Sequence, residues 1–200
     1  MPHTAARIIV DEHAAVAAVL RSLLLMVQQG PGDEPERFFD VLRAMLFYID
    51  EFPERMHHPK ESDLLFPKLM RAQPELIDVI RRLEEDHIRG EARVRELQHL
   101  LLAWELIGDM RRAAFVEAAG QYVNFYLEHM RTEESQLLPA AERVLSARDW
   151  AELDHAFQQS RDPLAGGLRD PSYDRLFTRI VRHAPAPIGV GPALVNEAAA

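Results

Sequence analysis

Along most of this chain apolar residues recur at alternating three- and four-residue steps, the spacing that gathers them on one face of an α-helix. From about Ala5 to Gln29, Ile9, Val16, Leu20, Leu23 and Val27 make such a stripe, and Gly30-Pro31-Gly32 ends it. A second helix is expected from Pro35, a favoured first-turn residue, to about Met70, with Phe38, Leu42, Met45, Ile49 and Phe52 on its apolar face. The third opens at Pro74, carries Leu76, Ile80, Leu83, Val94, Leu97 and Leu101, and closes near Gly108; the fourth runs from about Met110 to Leu145 with Phe115, Ala118, Tyr122, Phe125 and Leu137. Four long helices joined by short turns predict an all-α fold, an antiparallel up-down-up-down four-helix bundle over residues 1–146. Beyond it, Asp149 to Gln159 reads as a short helix, the stretch from Asp162 to Gly167 as a linker, and Tyr173, Leu176, Phe177 and Ile180 as another amphipathic helix. Residues 147–183 thus form a helical extension, and the Pro-, Gly- and Ala-rich residues 184–200 read as a disordered tail.

Each of the four stripes is interrupted by a histidine. His57 and His129 are each followed four residues later by a glutamate, Glu61 and Glu133, which on a helix puts imidazole and carboxylate on one face. Each pair is preceded at a matched distance by a lone histidine after acidic residues: His13 follows Asp11-Glu12, and His87 follows Glu85-Asp86. Both glutamates are followed six residues later by a proline, Pro67 and Pro139. The chain therefore reads as a duplicated helical hairpin. Taken singly, His13 or His87 would be read as a hydrogen-bonded core histidine, and Glu61 or Glu133 as a solvated carboxylate. At about 1.5 Å per helical residue, however, all six reach one level of the bundle, where unpaired charge is costly and a bound metal offsets it. Pro53 and Pro59 fall inside the second helix and predict a kink at the His57–Glu61 turn. His58 stands about 100° around that helix from His57 and is placed outside the ligand set, in a supporting or surface position that the kink could exchange. Tyr126 and Tyr122, one and two turns before His129, are expected to line the pocket, and Glu91 stays open between a seventh ligand, an outer base and a surface partner of Arg95.

Composition narrows the chemistry. The absence of cysteine excludes disulfides, thiolate metal sites and cysteine nucleophiles, leaving histidine and carboxylate as the strong metal ligands. A net charge of −9 offers no basic face for nucleic acid or an anionic membrane. The first residues show no signal-peptide pattern, and the apolar run from Ala14 to Val27 contains Arg21 and is too short to span a bilayer, so a cytoplasmic protein is expected.

Over roughly residues 5–145, these residues resemble the hemerythrin-like, HHE cation-binding proteins: His13 after Asp11-Glu12, His57-His58-Pro-Lys-Glu61 before Leu64-Leu65-Phe66-Pro67, His87 after Glu85-Asp86, and His129-Met-Arg-Thr-Glu133 before Leu137-Leu138-Pro139. The resemblance implies a hemerythrin-like bundle enclosing two non-haem iron ions, a di-iron centre that can be oxo-bridged. His13 and His57 would ligate one iron, His87 and His129 the other, and Glu61 and Glu133 would bridge them. It implies a small ligand, O2, NO or peroxide, and a role in sensing, detoxification or iron handling. Oxygen-carrying members place a second histidine four residues after the third-helix ligand, where this chain has Glu91, which points away from oxygen transport alone. A non-catalytic metal-binding or iron-storage bundle, and a structural bundle holding zinc, are the alternatives. Whether the chain is an enzyme stays open, as does pairing into a homodimer through the C-terminal helix.

Overall fold

A computed structural model describes residues 3–167 and 171–190. Its architecture is an all-α bundle of four antiparallel rods. The first rod is α1, Thr4–Gln29, ended by Gly30, whose φ of 79° is a backbone geometry that favours glycine. The second begins as α2, Pro35–Ile49, widens into a π-helical stretch over Asp50–His57, passes through α3, His58–Lys60, and a second π turn at Glu61–Leu65, and ends as α4, Phe66–Ala72. The third is α5, Ile77–Ile107, entered through a 3-10 turn at Pro74–Leu76 and ended by Gly108. The fourth is α6, Arg112–Thr132, a π turn at Glu133–Leu137, and α7, Leu138–Val144.

The prolines account for the widened stretches. A proline inside a helix has no N–H for the carbonyl four residues back, and its ring crowds that carbonyl. Shifting to i→i+5 hydrogen bonds relieves both problems. Pro53 lies in the first π stretch, Pro59 in the three residues between the two stretches of the second rod, and Pro67 and Pro139 each two residues past a π turn. Backbone N–H groups of His58, Phe66 and Leu138 accordingly donate to Pro53, Glu61 and Glu133, five residues earlier.

Two apolar clusters fill the bundle. One holds Val16 to Val27, the buried face of α2, and Val94 to Met130; the other holds Ala5 to Ile9, Leu65 to Leu83, and Leu137 to Ala141. Every rod crosses from one cluster to the other, and the crossing points are Glu12-His13, the turn from Glu54 to Glu61, His87, and His129 to Glu133. A polar layer thus lies between two dry caps.

The extension braces both caps. Helix α8, Ala147–Gln159, starts at a capping box in which Ser146 Oγ accepts from the Asp149 N–H and Asp149 accepts from the Ser146 N–H. It buries Trp150, Leu153 and Phe157 in the second cluster, worth about 1.5–3 kcal/mol for each fully buried large side chain. Helix α9, Asp174–His183, sets Phe177 and Ile180 against the first cluster. Residues 184–190, assigned from sequence to the tail, fold back instead: Ser22 Oγ donates to the Pro185 carbonyl at 2.9 Å and accepts from the Ile188 N–H at 3.2 Å. The remainder of that tail, 191–200, lies outside the described residues. Among the described residues no helix is long and apolar enough to cross a membrane.

Candidate metal centre

Four rods deliver five histidines and two glutamates to the polar layer, all buried. A ring nitrogen of each of His58, His87 and His129 and a carboxylate oxygen of Glu61 lie within 4.8 Å of one another, and so do donor atoms of His13, His57 and Glu61. Glu61 belongs to both groups. Glu133 stands across from it, with Oε1 3.4 Å from His129 Nε2 and 3.9 Å from His87 Nε2, and Oε2 3.4 Å from His13 Nε2. All six residues taken from the sequence as candidate ligands therefore share this layer.

Inward and outward nitrogens are sorted. His57 turns Nε2 to Glu61 Oε1 at 3.1 Å and Nδ1 to Glu12 Oε2 at 2.6 Å. His13 Nδ1 meets Glu134 Oε1 at 3.0 Å, and His87 Nδ1 meets Ser62 Oγ at 3.0 Å, Ser62 in turn donating to Glu84. Asp86 stands 3.8 Å from His129 Nδ1. An outer oxygen on one ring nitrogen fixes the tautomer and frees the other nitrogen's lone pair, which is how proteins orient imidazole ligands.

The inner atoms fit a cation and little else. Nε2 of His57, His87 and His129 and both carboxylate oxygens of Glu61 and Glu133 are buried without a hydrogen-bond partner among the described residues. Each such atom costs about 1–3 kcal/mol, more when charged, and they all converge. Protonation follows the same logic. Burial pushes Glu133 well above the usual carboxylate range, helped by the charge of Glu61 beside it. Burial acts the same way on Glu61, but His57 first, then His13 and His87, together outweigh it and hold Glu61 low. In His57 burial opposes charge, yet Glu61 and Glu12 lift it to about 9. Burial lowers His87 to about 3 and His58 well below its ordinary value, so both are neutral donors.

The structure corrects the sequence reading at His58 and decides the open one at Glu91. His58, placed there as a supporting or surface residue, is buried inside the layer, its ring stacked on that of His87 at 4.0 Å and 10°. Glu91 faces solvent in an ion pair with Arg95, on the outside of α5. The Tyr126 hydroxyl pairs with His58 Nε2 at 2.8 Å, and Tyr122 donates to Glu54 Oε1 at 3.2 Å. Asp162, which the sequence puts in a linker, is buried on the layer's edge: its N–H donates to Glu12 Oε1 at 2.8 Å and its carboxylate accepts from Tyr48. Burial raises Asp162 to about 6, against the pull of Tyr48. Glu12 and Asp86 stand beside the key histidines in sequence, yet nothing in their spacing says whether they serve their own neighbour or another rod's ligand; Glu134, Ser62 and Asp162 carry no such signal. A narrow cavity bordered by Phe52, Met56, Lys60, Tyr126, Ser160 and Asp162 reaches the layer beside His57 and His58.

The hemerythrin HHE cation binding domain family matches residues 4–141, the four rods but for the last turn of the fourth, and all six candidate ligands. No curated protein matches the chain.

Proposed function

The chain belongs to the hemerythrin HHE cation-binding family, and we propose that it holds two non-haem iron ions in this layer and binds a small ligand, O2, NO or peroxide, beside them. The observation carrying this reading is the convergence of partnerless buried donors: three Nε2 atoms and four carboxylate oxygens in one water-poor layer. In this reading His13 and His57 hold one ion and His87 and His129 the other, while Glu61, common to both donor groups, bridges them together with Glu133. Nitrogen and carboxylate donors suit ferrous and ferric iron, and two bridging carboxylates offset much of the charge of two cations in a dry core. Bound iron would supply open coordination positions and a reversible one-electron couple per ion.

The chain's own residues do the rest. Glu12, Glu134 and Ser62 hold their imidazoles in the tautomer that ligates. The apolar clusters above and below exclude water, so charge that develops in the layer is felt strongly. The cavity past Phe52 and Met56 joins apolar side chains such as Val16, Pro53 and Met130 to polar ones, with Lys60 at its border, and its narrowness favours a small visitor. Metal analysis by mass spectrometry on protein purified without added metal, with an optical spectrum in air and after anaerobic Fe(II) reconstitution, tests this. About two irons per chain and an optical change on exposure to O2, NO or peroxide are expected. Zinc occupancy, or iron that responds to none of them, would overturn the small-ligand reading and leave a cation-binding bundle.

A further inference from the structure

Four of the buried imidazoles follow one rule, Nε2 inward to Glu61 or Glu133 and Nδ1 outward to a hydroxyl or carboxylate oxygen. His58 repeats it. Its Nδ1 lies 3.0 Å from Glu54 Oε2, one helical turn earlier, and it is the fourth member of the donor group with Glu61, His87 and His129. We infer that His58 is a third nitrogen donor to the ion held by His87 and His129, through Nε2, so that the chain offers five imidazoles rather than four. This deepens the metal reading proposed above and rests on it.

The competing reading is a core histidine satisfied by Tyr126 and Glu54. It accounts for both ring nitrogens but not for what surrounds them. Glu54 is buried, and its hydrogen-bond partners are two neutral groups, His58 and Tyr122. A buried carboxylate is costly unless a positive charge is near, and a cation on Nε2 supplies one through the ring, polarising Nδ1–H toward Glu54. The third rod makes room for that carboxylate: at Gly90 a Cβ would stand 2.8 Å from Glu54 Oε1. Glu54, His58 and Gly90 thus form a built support for a ligand. Metal binding then exchanges one partner of Nε2 for another, releasing the Tyr126 hydroxyl.

Cobalt(II) substitution of the full-length chain tests this by proton NMR, because an imidazole N–H on a cobalt-bound ring gives a strongly shifted, solvent-exchangeable resonance. The expected count is five in the native chain, five in Tyr126→Phe and four in His58→Gln. Tyr126→Phe is also expected to bind cobalt about 2- to 10-fold more tightly, because a competing hydrogen bond is gone; weaker binding would overturn the proposal. Four resonances in the native chain, unchanged in His58→Gln, would overturn the inference and leave the metal reading intact. No shifted resonance at all would remove the metal reading and this inference with it. Should His58→Gln fail to fold, Glu54→Gln decides: displacement of one shifted N–H, the others unmoved, is expected, and an unchanged spectrum overturns the proposal.

Discussion

The two hairpins are built to one plan and differ in the width of one helix. Aligning His57 with His129 and Glu61 with Glu133 sets His58 opposite Met130, Glu54 opposite Tyr126 and Asp50 opposite Tyr122. In the fourth rod the backbone stays α-helical through Thr132, and Met130 turns into the apolar cluster above the layer. In the second rod the π stretch over Asp50–His57 holds more residues per turn, so successive side chains stand closer around the axis than the ~100° of an α-helix. Two consecutive histidines then reach the same layer. The first hairpin spends its prolines on a second inward imidazole; the second keeps a regular helix and gains apolar packing. Their outer supports differ as well, since Glu12 behind His57 is itself held by Asp162 of the extension, whereas His129 Nδ1 has no hydrogen-bond partner among the described residues and Asp86 stands off at 3.8 Å.

Removing the residue both halves share should have the largest effect. Glu61→Ala is expected to lose both ions, with metal content falling to near zero and the thermal midpoint of the loaded protein falling to that of the chelator-treated one. Retention of one ion would show that the halves load independently. Breaking only the first half's support should split them: Glu12→Ala is expected to weaken one ion by about 10- to 100-fold, the usual effect of losing an oxygen behind a ligating histidine, and to leave the other unchanged in a metal titration. Equal weakening of both would contradict the division.

The extension's share is readable in pH. Burial raises Asp162 from 3.8 to about 6, with Glu12 adding to the rise and Tyr48 and His57 opposing it. Its protonated form is favoured by folding, so the associated stability is present in full below about pH 4 and is lost as pH rises through about 6. Asp162→Asn cannot ionise and should remove that loss: in metal-free protein it is expected to melt higher than the native chain at pH 7, by as much as about 3 kcal/mol, and no higher at pH 4. The opposite ordering would place the ionised form in the folded state. The smallest effect sharpens the comparison itself. Met130→His copies His58 into the regular helix; it should add no ligand to a cobalt titration and cost about 1–2 kcal/mol in thermal unfolding, as a polar group placed in an apolar cluster. An added ligand would mean that helix width is not what turns His58 inward.

Much of this was legible in local pattern. Three- and four-residue spacing marked the rods, Gly30 and Gly108 marked two of their ends, and four histidines with two glutamates at matched intervals marked the layer, because along a rigid helix residue count is axial height. Direction around the axis was not legible in the same way. An even 100° step put His58 outside the ligand set and left Glu91 open, and only the widened backbone beside Pro53 and Pro59 and the packing of four rods decided that His58 faces inward and Glu91 outward. Nor could spacing assign Glu12 to His57, Glu134 to His13 or Asp162 to Glu12, because those hydrogen bonds join rod to rod or rod to extension. Local sequence determined which groups exist at each height, and tertiary structure determined which of them face one another, since cross-rod contacts depend on helix rotation and packing that no single segment encodes.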